Sequence, residues 1–130
     1  MKISILGKIE GAWQSLGSAD LSTDNSSNIT IGDNYIYNNV NGTIIECLTA
    51  SIVGDGSKTE IKQEITLKRA FPKSIISVAC SCDSTKYSYG NLNVVAIPTG
   101  KDKVKIAIRH LDSNVNLEGN FTIYLTCFGM

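Results

Sequence analysis

The residues that could do covalent chemistry are few. The chain has one histidine, His110, four cysteines and 12 acidic side chains. A Cys–His pair could act as nucleophile and base, but no cysteine follows a predicted helix start or a basic run that would lower its pKa. No phosphate loop, GxSxG or HExxH motif is present. The sequence therefore predicts a protein that is not an enzyme. A cytosolic hydrolase with two carboxylates that meet only in space is the catalytic alternative.

The four cysteines, Cys47, Cys80, Cys82 and Cys127, each lie inside an apolar run. A free thiol packs in such a run as a small hydrophobic group. The N-terminus lacks an apolar stretch long enough for a secretory signal, so we expect no oxidising compartment. We predict free buried thiols, with a disulfide or a zinc site as alternatives.

One loop resembles the start of a calcium-binding loop. Residues Asp112, Asn114 and Asn116 follow the spacing D-x-N-x-N, but the sixth position is Leu117 where glycine is expected. No helices are predicted on either side of it. We interpret the segment as a polar connection between strands, and we predict no metal and no cofactor.

Aromatic side chains offer better candidates for binding. Tyr87 and Tyr89 lie in a polar loop, where a tyrosine can stack on a sugar ring and use its hydroxyl at low entropic cost. The alternative is that they cover the end of the core. Trp13, Tyr35 and Tyr37 could anchor a partner, but we favour a core position for them.

Strands must position these loops. Alternating apolar residues predict strands at 43–53, 60–68, 74–82, 92–97, 103–109 and 121–127, with turns at 38–42, 54–57, 83–90, 98–100 and 110–119. Short strands are also predicted near residues 3–5 and 29–31, within a turn-rich stretch over 7–34. No helix is convincing between them. This spacing predicts an all-β antiparallel sandwich of about six to eight strands.

Length and charge limit the function classes further. The 130 residues fit one domain, and 12 basic side chains balance 12 acidic ones. A net charge of zero disfavours a nucleic-acid partner. No apolar run is long enough to span a membrane. Asn, Ser, Thr and Gly supply 46 residues, a composition typical of strands, turns and contact loops.

The segment from residue 60 to 129 resembles a known family. It contains Ile65-Thr66-Leu67, then Phe71-Pro72 and Ile76-Ser77-Val78, and it closes on Ile123-Tyr124-Leu125 and Phe128-Gly129-Met130. This order is similar to that of H-type lectin-like domains and the related C-terminal domains of bacteriophage tail fibres. Tyr124 stands where tryptophan is common in those lectins. No sugar-contact residue of the family can be placed on this chain.

The resemblance implies a receptor-binding protein of a phage or prophage tail fibre or baseplate tip. Its members are sandwiches that usually form trimers or hexamers and bind cell-surface glycans or other receptors. We therefore expect a homotrimer, located in the virion, that binds other tail proteins and a host glycan. A purely structural virion protein and a free-standing bacterial lectin are alternatives. We predict one domain over 1–130, with a lectin-like core at 56–130 and an irregular segment at 1–55 that could be an oligomerisation arm.

The loops at 83–90 and 110–119 carry the predicted contacts. The candidate ligand-binding residues share a position in or beside these loops and are Tyr87, Tyr89, Arg109, His110, Asp112, Asn114 and Asn116.

Overall fold

The computed structural model describes the backbone of residues 2–9, 12–20 and 28–130, and the side chains of 28–130 apart from Tyr89. The strands are β1 (Lys2–Ile9), β2 (Ala12–Asp20), β3 (Asn28–Gly32), β4 (Tyr35–Val40), β5 (Thr43–Asp55), β6 (Glu60–Thr66), β7 (Ile75–Ser84), β8 (Leu92–Pro98), β9 (Lys103–His110) and β10 (Glu118–Gly129). A 3₁₀ turn, η1 (Tyr89–Asn91), precedes β8. The predicted all-β class is confirmed.

Eight of these strands form two antiparallel sheets. The larger sheet has the order β3-β4-β5-β10-β7, and the smaller one has the order β6-β9-β8. The inward side chains of both sheets form one hydrophobic core. The predicted antiparallel sandwich and its strand number are therefore confirmed.

The alternation predicted for the last two strands is also confirmed. Val104, Ile106 and Ile108 of β9 are fully buried, and so are the odd-numbered residues of β10 from 121 to 127. Their neighbours in sequence point outward. Because each strand has one apolar and one polar set of positions, its register on the core is strongly specified.

The face predicted for Ile76 is wrong. Strict alternation over the predicted strand 74–82 places Ile76 on the same face as Val78, Cys80 and Cys82. Ile76 is instead 62% exposed, whereas Ile75 is buried. The register between β10 and β7 shifts at this point, so that Phe128 pairs with Ser77 and Gly129 with Ile75. A β-bulge adds one residue to a strand and reverses the facing of what precedes it.

The first part of the chain is more regular than the turn-rich prediction for residues 7–34. Residues 12–20 form β2, which pairs with β1 from Ala12↔Ile9 to Asp20↔Lys2, so the prediction of turns is wrong there. Residues 28–55 supply three of the five strands of the larger sheet, so this part of the expected irregular segment is regular. The single domain and the oligomerisation arm stay predictions, and the side chain of Trp13 lies outside the described residues.

The turn predicted at 38–42 is confined to Asn41 and Gly42, because β4 continues to Val40. Asn41 and Gly42 have φ values of 53° and 87°. Both angles lie in the left-handed region that a tight two-residue hairpin turn requires. The hairpin pairs Val40 with Thr43 and sets the register of the strands behind it.

The larger sheet has five strands and the smaller sheet has three. The loop that follows β6 covers part of the core that the smaller sheet does not reach. Leu67 and Phe71, which follow β6, are buried in the core. The side chains of Lys68 and Arg69 lie over the rings of Tyr35 and Tyr37, at 4.4 and 4.5 Å from the ring centres. Both tyrosines are buried, as predicted. Cation–π contacts therefore close the side of the core that the smaller sheet leaves open.

One carboxyl group is enclosed in this core. Oε1 of Glu46 accepts hydrogen bonds from the Tyr35 hydroxyl at 2.8 Å and from the Arg69 backbone N–H at 3.3 Å. Oε2 is buried without a hydrogen-bond partner. Burial raises the pKa of Glu46, and burial together with the Glu46 hydrogen bond raises the pKa of Tyr35. The carboxyl is thus held in its neutral form to a higher pH than an exposed one.

The outward face of the smaller sheet carries charge in every row. We call it the charged face, and its charged members are Glu60, Lys62, Glu64, Lys103, Lys105 and Arg109. Glu60 forms ion pairs with Arg109 and Lys62, both at 3.1 Å. This face has the composition of a surface that stays in water.

The outward face of the larger sheet has no charge in its middle rows. We call it the apolar face, and its apolar members are Ile29, Ile31, Ile36, Val40, Ile45, Cys47, Val53, Tyr124 and Phe128. Ile31 is 76% exposed and Val53 is 70% exposed. Charged side chains occur only at one rim, as Asp55, Asp83 and Glu118. Thr, Ser, Asn and Ala fill the other positions.

Candidate functional site

The two loops predicted to bind a ligand meet at one end of the sandwich, which we call the loop end. The chain leaves β7 and β9 there and enters β8 and β10. A main-chain hydrogen bond of 3.2 Å from Thr85 N–H to Asn120 O joins the first loop to the start of β10. Residues of both loops are therefore presented on one surface.

Tyr87 joins the two loops. Its hydroxyl donates to the backbone oxygen of Asn116 at 2.9 Å and accepts from the backbone N–H of Glu118 at 3.0 Å. Its half-buried ring stacks on Phe121 of the core at 6.0 Å and meets the edge of His110 at 5.4 Å. Tyr87 thus covers the core at the loop end, and its hydroxyl is occupied by main-chain groups. The side chain of Tyr89 lies outside the described residues.

His110 and Asp112 shape the second loop through hydrogen bonds to its backbone. Nδ1 of His110 accepts a hydrogen bond from the Asp112 N–H at 2.9 Å. Oδ1 of Asp112 accepts from the Asn114 N–H at 3.0 Å, which is a local turn of the Asx type. Leu117 is 1% exposed and packs in the core at the position where a calcium loop needs glycine.

Arg109 lies beside these residues, on the charged face. A shallow depression of about 250 Å³ is lined by Arg109 and His110 together with Asn93, Leu111 and Ser113. Leu111 is 67% exposed. Sequence reasoning did not identify Asn93 and Leu111. The sequence holds one signal for Leu111, which is an apolar residue directly after the end of β9. It holds no such signal for Asn93.

An ion pair closes the same end of the molecule. Lys86 Nζ lies 2.7 Å from Oε2 of Glu118, which is 32 residues away in sequence. Their mutual hydrogen bond raises the pKa of Lys86 and lowers that of Glu118. With Tyr87, this pair holds the first loop against the start of β10. Such a long-range contact leaves no local pattern, so the sequence could not predict it.

The arrangement and burial of the described side chains limit the chemistry they offer. Among residues 28–130, no group of three or more His, Cys, Asp or Glu is placed to hold a metal ion. Burial raises the pKa of Cys80 to about 11 and that of Cys127 to about 12, which disfavours a nucleophilic thiolate. No helix in the described part is long and apolar enough to cross a membrane. The loop end offers hydroxyl, amide and imidazole groups around the exposed side chain of Leu111.

Known proteins were compared with this chain at the level of sequence and of structure. No family model matches the sequence, and no curated protein matches it. Solved structures with the same fold include two of the R1 pyocin tail fibre. One is the part of the P. aeruginosa R1 pyocin fibre that comprises its C-terminal residues. The other is an N-truncated R1-type pyocin tail fibre. Each matches 79% of this chain with a TM-score of 0.62 and 18% sequence identity.

The likeness covers different shares of the two fibres. The chain spans 28% of the first fibre chain and 84% of the second. At this identity the match shows a common fold and leaves the function open. The predicted tail-fibre resemblance is thus confirmed for the fold. The resemblance to H-type lectins, by contrast, stays a prediction.

Proposed function

We propose that this protein is a receptor-binding component of a phage or phage-derived tail particle, which attaches to a cell-surface glycan without catalysis. The observation that carries the proposal is the fold shared with the R1 pyocin tail fibre. In this proposal the protein resides in the virion and contacts other tail proteins. The loop end is the surface that meets the receptor.

The construction of the loop end supports a binding role. Tyr87 and the Lys86–Glu118 pair fix the two loops against β10. Loops that are ordered before binding lose less entropy when a ligand arrives. Arg109 and His110 border a depression of about 250 Å³, and Asn93 and Ser113 add polar groups to its lining. Asp112, Asn114 and Asn116 follow in the same loop. In this proposal Tyr87 supports the site rather than stacking on the glycan.

We further propose that three copies assemble through the apolar face. Exposed Ile31, Val53 and Tyr124 would leave water in such a contact, and no buried charge would oppose it. Three loop ends held in parallel would raise the apparent affinity of a weak single site by multivalency. Assembly and adhesion are separate parts of the proposal and are tested separately.

One observation favours a second candidate, a purely structural virion protein. The Tyr87 hydroxyl is occupied by the backbone of Asn116 and Glu118, so it offers less to a sugar than a free loop tyrosine would. A structural component would share the fold and the assembly but would not adhere to cells. Cell adhesion therefore separates the two candidates.

The test measures adhesion of fluorescently labelled protein to intact bacteria of a panel of strains. The wild-type protein is expected to bind at least one strain, and the double substitution R109A/N114A is expected to lower that binding at least tenfold. Lys105→Ala, on the same strand β9 but away from the loop end, is the control and is expected to bind normally. Absence of adhesion to every strain, together with a blank glycan array, would reject the adhesive role.

A further inference from the structure

The net charge of the chain is zero, but its positive and negative side chains are separated along the direction of the strands. At the end opposite to the loop end, the segments 67–74 and 98–103 carry five cations and one acid, Asp102. We call this cluster the basic end, and its members are Lys68, Arg69, Lys73, Lys101 and Lys103. The loop-end segments 54–60, 83–91 and 109–119 instead carry five acids and three cations. The two ends of the sandwich therefore differ in sign.

Main-chain hydrogen bonds hold the two cationic segments side by side. The Phe71 N–H donates to Lys101 O at 2.8 Å, and the Leu67 N–H donates to Asp102 O at 2.7 Å. Phe71 is fully buried and anchors the first segment in the core. The fold therefore brings together positive charges from two segments that are separate in the sequence.

Few acids neutralise these cations. Lys103 lies 3.9 Å from Asp102, and Lys68 and Arg69 lie over tyrosine rings. Among residues 28–130, Lys73 and Lys101 have no carboxylate within ion-pair distance. At the loop end, by contrast, Lys86 neutralises Glu118, and Arg109 neutralises Glu60. The basic end therefore carries positive charge that no acid of residues 28–130 neutralises, at Lys73 and Lys101.

A cleft with polar and apolar walls adjoins one of the cations, Lys73. It measures about 270 Å³ and lies between the β4–β5 turn and Pro72-Lys73, and its lining residues include Asn39, Thr43 and Met130. Oδ1 of Asn39 already accepts from the Gly42 N–H at 2.9 Å. The hydroxyl of Thr43 and the ammonium of Lys73 suit a ligand that is rich in hydroxyls and bears an anion.

We infer that the basic end binds an anionic polysaccharide, one that bears carboxylate or phosphate groups, as a second contact remote from the loop end. The inference depends on the proposed adhesive function. A single-stranded nucleic acid fits less well because its bases stack on exposed aromatic side chains, and Tyr35 and Tyr37 are buried beneath Lys68 and Arg69. A second copy fits less well because Glu60 and Glu118, two acids of the loop end, are already paired.

The test titrates the whole protein with polygalacturonate, with neutral dextran and with single-stranded DNA of equal charge. Polygalacturonate is expected to bind, and to bind more weakly as salt rises; dextran is expected not to bind. The double substitution K73A/K101A is expected to weaken the binding at least tenfold. The matched control K62A/K105A removes two lysines from the charged face and is expected to change the affinity less than twofold.

Three results would overturn the inference. They are equal weakening by both double substitutions, equal binding of dextran, and tighter binding of DNA than of polygalacturonate. Adhesion to cells without binding of polygalacturonate would reject this site and leave the proposed function standing. Binding of polygalacturonate by a protein that adheres to no cell would support a polyanion site and reject the proposed function on which its biological role depends.

Discussion

The two sheets share the same alternation of inward and outward side chains, but the outward side chains of one sheet differ in polarity from those of the other. Both alternate an inward apolar residue with an outward one, as a sandwich requires. On the charged face six outward positions hold lysine, arginine or glutamate and two hold the apolar residues Val95 and Ile97. On the apolar face the outward positions hold isoleucine, threonine, cysteine and tyrosine. This difference indicates that the fold depends on the inward, core-forming residues of both sheets. The outward set reflects what each face meets.

The edge of the larger sheet strengthens this contrast. β3 ends the sheet with the residues Asn-Ile-Thr-Ile-Gly and has no lysine, proline or inward charge. Natural edge strands usually carry one of these to prevent pairing with another chain. The apolar face lies next to this edge strand, which carries none of these features in its own residues. We therefore expect the face to be covered in the assembled protein.

The largest expected effect is on assembly. Tyr124→Lys places a charge in the middle of the apolar face, and we expect it to weaken self-association by about 2 kcal/mol or more, which is about 30-fold. Val95→Lys is the matched control, because Val95 is 44% exposed on the charged face. Light scattering and sedimentation across a concentration series give the measurement.

The outcome is read from the difference between the two variants. The wild-type protein and Val95→Lys are expected to be trimers, and Tyr124→Lys is expected to be a monomer with an unchanged circular dichroism spectrum. A wild-type protein that stays monomeric at the highest concentrations would contradict the role assigned to the apolar face.

The second effect concerns Glu46, the one acid that the larger sheet buries. Its raised pKa means that the folded state keeps a proton that the unfolded chain loses near pH 4.5. The free energy of unfolding should therefore fall as the pH rises above that value, by up to about 1.4 kcal/mol per pH unit until the folded carboxyl ionises. Glu46→Gln resembles the protonated form and should remove this dependence.

Denaturant unfolding of both proteins between pH 4 and 9 measures this effect. We expect Glu46→Gln to match the wild type at pH 4 and to be more stable by about 1–2 kcal/mol at pH 8. Glu64→Gln, on the charged face, is the control and should change stability by less than about 0.5 kcal/mol. A wild-type stability that rises between pH 5 and 8, with no difference from Glu46→Gln, would contradict the assignment.

The sequence predicted the parts of the fold that depend on period-two alternation. β9 and β10 show this clearly, since every other residue from Val104 and from Phe121 is buried. It could not place Ile76, because a bulge depends on the partner strand. It also could not single out Glu46, which looks like an ordinary polar residue until Tyr35 and Arg69 close over it.

The candidate site was predictable only as a pair of loops. Turn residues and the ends of alternating strands correctly located residues 83–90 and 110–119 at connections. The role of Tyr87 depends on Phe121 and on the Glu118 backbone, more than thirty residues away, so it needed the tertiary structure. Local sequence identifies which residues are free to bind, while long-range contacts decide which of them are used for support.

The smallest effect is expected at a single thiol of the apolar face. Cys47 points outward beside Tyr124 and Ile36, in a shallow depression of about 330 Å³, whereas Cys80 points into the core and its pKa is raised to about 11. We therefore expect a maleimide to modify Cys47 first in a dissociated protein. Assembly through the apolar face should slow that reaction severalfold and leave the slow reaction of Cys80 unchanged. Mass spectrometry of peptides over time, at concentrations above and below assembly, measures both rates. Equal rates for Cys47 at the two concentrations would place the contact between copies elsewhere on the molecule, since a thiol in the middle of a contact cannot react as freely as one in water.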